Sequence, residues 1–193
     1  GSLVVEAGTT FSVAAGSVLT NFVGGTLVDG SFTIRGEIIA DNLDVQQIDN
    51  AVILDDADAL FTNRTTGLDA FSNLNLLSGS GSLTVANGRD LTTVGSLSST
   101  PGTTLTVGAA AGANTSVVTV NGDFNAGGTV QLGGGNLVVT GQLNLTGSVA
   151  GNGTINGQIV NNGAFDPGNS PGCAAVVGNF TQGTNGSMTM ELA

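Results

Sequence analysis

The chain has 193 residues, 14 acidic side chains against three basic ones, and a net charge of −11 at neutral pH. It contains no Lys, His, Trp or Tyr, one Cys (Cys173) and three Arg (Arg35, Arg64 and Arg89). These absences exclude a Ser-His-Asp or Cys-His nucleophile, a Lys Schiff base and a His/Cys zinc site. The acidity argues against nucleic acid, whose phosphates need basic side chains to release counterions, and against an anionic membrane surface.

Only 9% of residues are charged, and 32 are Gly. Val, Leu, Ile and Thr alternate with Gly and Asn, the composition of many short strands joined by tight turns. The lone Cys excludes an internal disulfide framework. No run approaches the roughly 18 apolar residues of a membrane helix, so no membrane insertion of this segment is expected.

From the N-terminus, Gly1-Ser2 reads as a cloning scar, which makes 3–193 the native segment of a longer protein. A short motif follows: an apolar residue, a variable one, then Gly, a polar residue and an apolar residue. It occurs as VDGSF at Gly30 and IRGEI at Gly36. Residues 41–75 read as an irregular acidic insertion, with Asp41, Asp44, Asp49, Asp55, Asp56, Asp58 and Asp69. Within it, Asp55, Asp56 and Asp58 are the candidate ligands for calcium, since hard oxygen donors at close spacing suit that ion. The EF-hand loop and the Gly-rich calcium repeat of β-rolls are both missing, so a solvated acidic loop is the competing reading. Leu68, Phe71 and Leu74 recur every three residues, which suits a short helical turn or a lateral loop. Arg35, Arg64 and Arg89 have Glu37, Asp58 and Asp90 as nearby acidic partners.

Beyond residue 90 the motif becomes regular. It appears as TVGSL at Gly95, VNGDF at Gly122, VTGQL at Gly141, INGQI at Gly157 and VVGNF at Gly178. The last four recur at a step of roughly 20 residues, about one coil of a parallel β-helix, in which corresponding strands stack. In 137–145, Leu137, Val139, Leu143 and Leu145 share one side at a two-residue period, and Gly141 marks a bend or a close backbone approach. Asn-Gly pairs at Asn87, Asn121, Asn152, Asn156, Asn162 and Asn185 suit corners with positive φ. They also suit antiparallel hairpins, the rival reading. Recurrence of a whole motif favours an all-β, parallel β-solenoid: one elongated domain of nine or ten coils, with Val, Leu, Ile and Phe stacked inside. Its open ends would invite end-to-end self-association.

Three stretches carry a resemblance: Leu19–Asn42, Leu74–Leu97 and Phe165–Gln182. They resemble repeats of large autotransporter-like and filamentous-haemagglutinin-like surface proteins of bacteria. Pro167 to Gly172, Pro-Gly-Asn-Ser-Pro-Gly, is the most specific piece. The resemblance implies a right-handed parallel β-helix, export to the cell surface or medium, and a non-catalytic stalk or adhesin passenger role. It implies no catalytic residues.

Other expectations are weighed beside it. Residues 41–75 could recognise a glycan or a host surface protein. A polysaccharide-active enzyme could use paired carboxylates, but the chain has no Lys base and no Trp or Tyr sugar platform. Ice binding would require ranks of Thr-x-Thr, and Thr104-Leu105-Thr106 alone fits. The Gly-rich 151–157 stretch reads as solenoid turns, because no helix pattern follows it. Cys173 reads as a small packed residue.

Overall fold

The computed structural model describes residues 1–109, 115–168 and 173–190. Among them there is no helix; the chain is built from short strands, and nearly every pairing is parallel. Apart from one short hairpin, neighbouring strands of a coil do not pair with each other. Each pairs with the strand about one motif period later, so the chain winds in stacked coils with three faces, an arrangement that fits a β-solenoid.

The first face is continuous over nine levels. Ser2–Val5 pairs with Ser31–Ile34, then follow Ala51–Asp55, Ser82–Ala86, Thr104–Val107, residues 129–132 and 148–151, Ala164–Pro167 and Ser187–Met188. Coil length varies along this ladder. The longest coils run from Ser2 to Ser31 and from Ala51 to Ser82, and the shortest from Ser148 to Ala164. The third face is also continuous, from Thr26–Leu27 through Gln47–Ile48, Leu76–Leu77, Leu97–Ser99, Phe124–Ala126, 143–145 and 159–161 to Phe180–Gln182. The second face is split. Thr10–Ser12, Glu37–Ala40 and Leu60–Asn63 form a three-stranded sheet. A separate ladder runs from Asp90–Thr93 through Val117–Val120, 136–139 and 154–156 to Ala174–Val177.

The regular motif is one corner of this winding. Leu97, Phe124, Leu143, Ile159 and Phe180, each two positions past a motif Gly, stack in a single column. The early copies mark other corners: Phe32 stands on the first face and Ile38 on the second. Strand alternation puts every second side chain inside. On the first face, Phe32, Val52, Leu83, Leu105, Val130, Val149 and Phe165 form one such buried column. Burying each aliphatic side chain contributes about 1.5–3 kcal/mol. Leu137, Val139, Leu143 and Leu145 are all buried, as their alternation predicts.

Positive φ explains one Asn-Gly pair, Asn87-Gly88, with φ of 55° and 91°, but not the Asn of the other five. Among the described non-Gly residues, only Asn42 and Asn87 have it, so Asn121, Asn152, Asn156, Asn162 and Asn185 do not. Close approach between coils explains the glycines better. A Cβ on Gly122 would meet the Ser96 backbone nitrogen at 2.8 Å, and one on Gly157 the Val139 carbonyl at 2.6 Å. Gly128, Gly147 and Gly163 lie one above another at the corner between third and first faces, Gly147 against the backbone of Gly128 and Gly163 against that of Gly147. Among the described residues antiparallel pairing occurs once as a strand pair: Phe22–Val23 folds onto Thr26–Leu27 through Gly24-Gly25, with φ of 57° and 86° as a two-residue hairpin turn requires.

Residues 41–75 are less irregular than their charge suggests. Three coil strands run through them (Gln47–Ile48, Ala51–Asp55 and Leu60–Asn63), because Val45, Ile48, Val52, Leu54 and Phe61 keep the inward positions. The departure is confined to 64–75, a lateral set of turns. Ala70 donates to Phe61 O at 2.7 Å, and Val45 donates to Ala70 O at 2.8 Å. Phe71 and Leu74 are buried while Leu68 is 62% exposed, so their regular spacing does not make a helix face. Phe61 holds the insert to the core, with ring centroids 5.0 Å from Phe71 and 5.7 Å from Phe32.

Candidate functional site

The Arg residues reach acids on other coils rather than Glu37, Asp58 and Asp90. Stacked strands are only about 4.8 Å apart, closer than outward neighbours along one strand. Arg35 donates to Asp55 at 2.9 Å and to Glu6 at 3.2 Å, one coil to either side. Its hydrogen bond to Asp55, and then that to Glu6, hold its guanidinium pKa above the ordinary value. Arg64 pairs with Asp41 at 2.8 Å and also donates to Ser12 and to Val13 O. The Gly16 N–H, foremost, and Arg64 lower the Asp41 pKa. Arg89, almost fully buried, pairs with Asp69 of the lateral insert and donates to Asp90 O. Glu37 instead accepts from the Thr62 hydroxyl.

The calcium candidates have separate partners. Asp55 accepts from Arg35 and from Asn87, the latter at 2.6 Å. Asp56 accepts from the backbone N–H of Asp58 at 3.1 Å, a local turn. Among the described residues no three acidic, His or Cys side chains converge as a metal-binding group. Cys173 is exposed, not packed. Of the Pro167 to Gly172 motif, residues 169–172 lie outside the described residues.

The register adds hydroxyls to the Thr rank that sequence spacing hides. Thr104 and Thr106 stack on Ser82 and Thr84 and lie under Thr129 and Gln131. Neighbouring levels carry Ala51 and Ile53, and Ser148 and Ala150, so the hydroxyl rank is interrupted.

The most featured surface is the corner between the second and third faces. In the later coils this corner is tight, spanned by Asn121–Asp123 or by Gly157-Gln158. In the first three it is built from the longer segments 13–25, 41–46 and 64–75. Val18 (80%), Val23 (60%), Leu68 (62%) and Val94 (66%) are exposed there. Three cavities open nearby, the first at the end of the first coil and the other two beside these side chains. One of about 340 Å³ is lined by Leu3, Phe11, Leu19, Asp29 and Phe32. One of about 230 Å³ lies between Val18, Leu19, Phe22, Asp41 and Leu43. One of about 160 Å³ lies between Leu43, Asp44, Leu68 and Asp69. Shared walls at Leu19 and Leu43 make them adjoining.

Comparison with protein-family models, with curated proteins and with solved structures finds no match.

Proposed function

We propose that the chain is one right-handed β-helical domain that serves as a non-catalytic stalk or adhesin passenger segment of a secreted or cell-surface bacterial protein. The observation that carries this reading is the unbroken first-face ladder of nine levels. Right-handedness follows from the strong preference of crossovers between parallel strands of one sheet. Eight steps of about 4.8 Å make a rod of about 38 Å along the ladder. Every level is tied to its neighbours by backbone hydrogen bonds and a shared apolar column, so force along the axis is borne by many bonds at once. The acidic, weakly charged composition and the surface-protein resemblance of 165–182 support the location.

Both end levels leave apolar groups open: Val4 and Phe11 at one end, Val177, Met188 and Met190 at the other. Unpaired strand edges beside such groups favour end-to-end association, which sedimentation over a concentration series tests.

A second reading has its own observation. The long loops and two of the cavities gather at one corner, where 41–75 supplies the walls of the smaller and part of the larger, which favours a binding module for a glycan or host protein. An array of glycans and extracellular-matrix proteins, read with and without calcium, separates the two. A blank array from protein with a β-rich circular dichroism spectrum supports the stalk. A reproducible hit lost when Asp44 and the other acids of 41–75 are neutralised supports the binding module and refutes the pure stalk.

A further inference from the structure

The six Asn-Gly pairs carry a chemistry besides turn geometry. Gly has no side chain to shield its backbone nitrogen, so that nitrogen can reach the amide carbon of the Asn before it. Reaction in a folded chain needs a Gly N–H free of a hydrogen bond, an Asn side chain free to swing and a backbone outside a paired strand; otherwise a local opening must come first.

Five pairs fail these conditions. Gly88 donates to Ser116 Oγ at 3.1 Å, and Asn87 Nδ2 donates to Asp55 at 2.6 Å. Gly153 donates to Cys173 O at 3.3 Å, Gly163 to Asn161 Oδ1 at 3.1 Å and Gly186 to Gly183 O at 3.2 Å. Asn156-Gly157 lies inside the strand Ser148–Asn161, with Asn156 in register with Val138 on one coil and Val177 on the other. Asn121-Gly122 meets all three. It lies in the corner between the strands Val117–Val120 and Phe124–Ala126. Asn121 is exposed, and among the described residues neither its side-chain amide nor the Gly122 N–H has a hydrogen-bond partner. The bonds that hold this corner leave both reacting groups free: Asn121 N–H to Thr93 O at 3.4 Å, Gly141 N–H to Gly122 O at 3.0 Å and Asp123 N–H to Ser96 Oγ at 3.1 Å.

We propose that Asn121 is the first residue of the folded protein to deamidate spontaneously, a modification site selected by the winding and not by the dipeptide alone. The Gly122 nitrogen attacks Asn121 Cγ. A Cγ–N bond forms, the Cγ–Nδ2 bond breaks, and the Gly122 proton leaves with the amide as ammonia. Water then opens the cyclic imide at either carbonyl, giving aspartate or β-linked aspartate. Either product sets a second carboxylate beside Asp123, whose own carboxylate accepts from Gln142 N–H at 2.9 Å. The β-linked product also inserts an extra main-chain carbon just before Gly122, whose carbonyl is bonded to Gly141.

The test ages the full chain in heavy-oxygen water at mildly alkaline pH, folded and in urea, and maps the label by peptide mass spectrometry. In urea the six pairs react at comparable rates, because each shares the same dipeptide. In the folded protein Asn121 leads each of the others by roughly tenfold, since each of those must first break a hydrogen bond or open a ladder. Asn121→Gln removes the fast phase of label uptake with an unchanged urea midpoint, as its exposure allows, and Asn87→Gln keeps that phase. The proposal is overturned if any other pair keeps pace with Asn121 in the folded protein. It is equally overturned if Asn121 stays an amide while the urea sample reacts, or if the fast phase survives in Asn121→Gln.

Discussion

Replacing Gly147 by Ala tests whether coils are held close enough to exclude a single methyl group. Gly147 has no positive φ, so the effect is steric and not conformational. An added Cβ would lie 2.5 Å from Gly127 O and closer still to Gly128 O, inside the 3.0 Å that Cβ atoms keep. Three cross-coil bonds surround the point: Gly147 N–H to Ala126 O at 2.9 Å, Ser148 N–H to Gly128 O at 3.0 Å, and Ala164 N–H to Gly147 O at 2.9 Å. Relief requires the coils to part. Overpacking costs about 1–3 kcal/mol, and one or two weakened hydrogen bonds add roughly 0.5–1.5 kcal/mol each. A reduced unfolded-state entropy returns about 0.4–1 kcal/mol. The net expectation is a loss of about 2–4 kcal/mol, read as a lower urea midpoint at unchanged slope. Gly95→Ala is the control, because a Cβ there meets nothing within 4 Å and φ is ordinary. It should be neutral or slightly stabilising. If the two variants agree within about 0.5 kcal/mol, the account of close-stacked glycine corners is wrong.

Phe61→Ala should lose about 3–5 kcal/mol, because it removes a fully buried ring together with its edge contacts to Phe32 and Phe71; the same urea titration reads it, and a loss below about 1 kcal/mol would show that the lateral insert is not anchored there. Asp41 has a lowered pKa in the folded state, so its contribution is present above the ordinary aspartate range and fades as pH falls through the folded value. Asp41→Asn should therefore flatten the acid-side loss of stability, and denaturation midpoints at neutral and acid pH would show no such flattening if the Gly16 and Arg64 contacts are absent in solution. Millimolar calcium should leave the melting temperature unchanged, since Asp55 and Asp56 are turned to separate partners. A calcium-dependent rise abolished by Asp56→Asn would contradict that.

The later coils are legible in the sequence because the steps from Gly122 to Gly141, Gly157 and Gly178 are short enough for one motif to recur visibly. The column from Leu97 to Phe180 follows directly from it. The early coils are harder to read. Segments 13–25 and 64–75 lengthen the coils from Ser2 to Ser31 and from Ala51 to Ser82, and so hide the alignment of Phe32 with Val52 and Leu83. Local sequence offers Asn-Gly as turn geometry, whereas these glycines matter for the backbone lying against them, which depends on the next coil. Ion-pair partners escape local reading for the same reason: Asp55 is 20 residues from Arg35 and Asp69 is 20 from Arg89, one coil away rather than one turn. The two corner cavities have one sequence signal, the acids of 41–75, but Val18 and Leu19 join them only through the winding.

The central claim is the register of stacked coils, and engineered disulfides test it most directly. In a Cys173→Ser background, cysteines at Ser82 and Thr104 occupy adjacent levels of the first face, and cysteines at Ser82 and Thr129 are two levels apart. Adjacent strands are about 4.8 Å apart, within the Cα separation a disulfide spans, and two levels are about twice that, beyond it. Oxidation should close the Ser82–Thr104 pair within the monomer and leave the Ser82–Thr129 pair reduced. Closure of the second pair, or failure of the first in folded protein, would contradict the stacked-coil account.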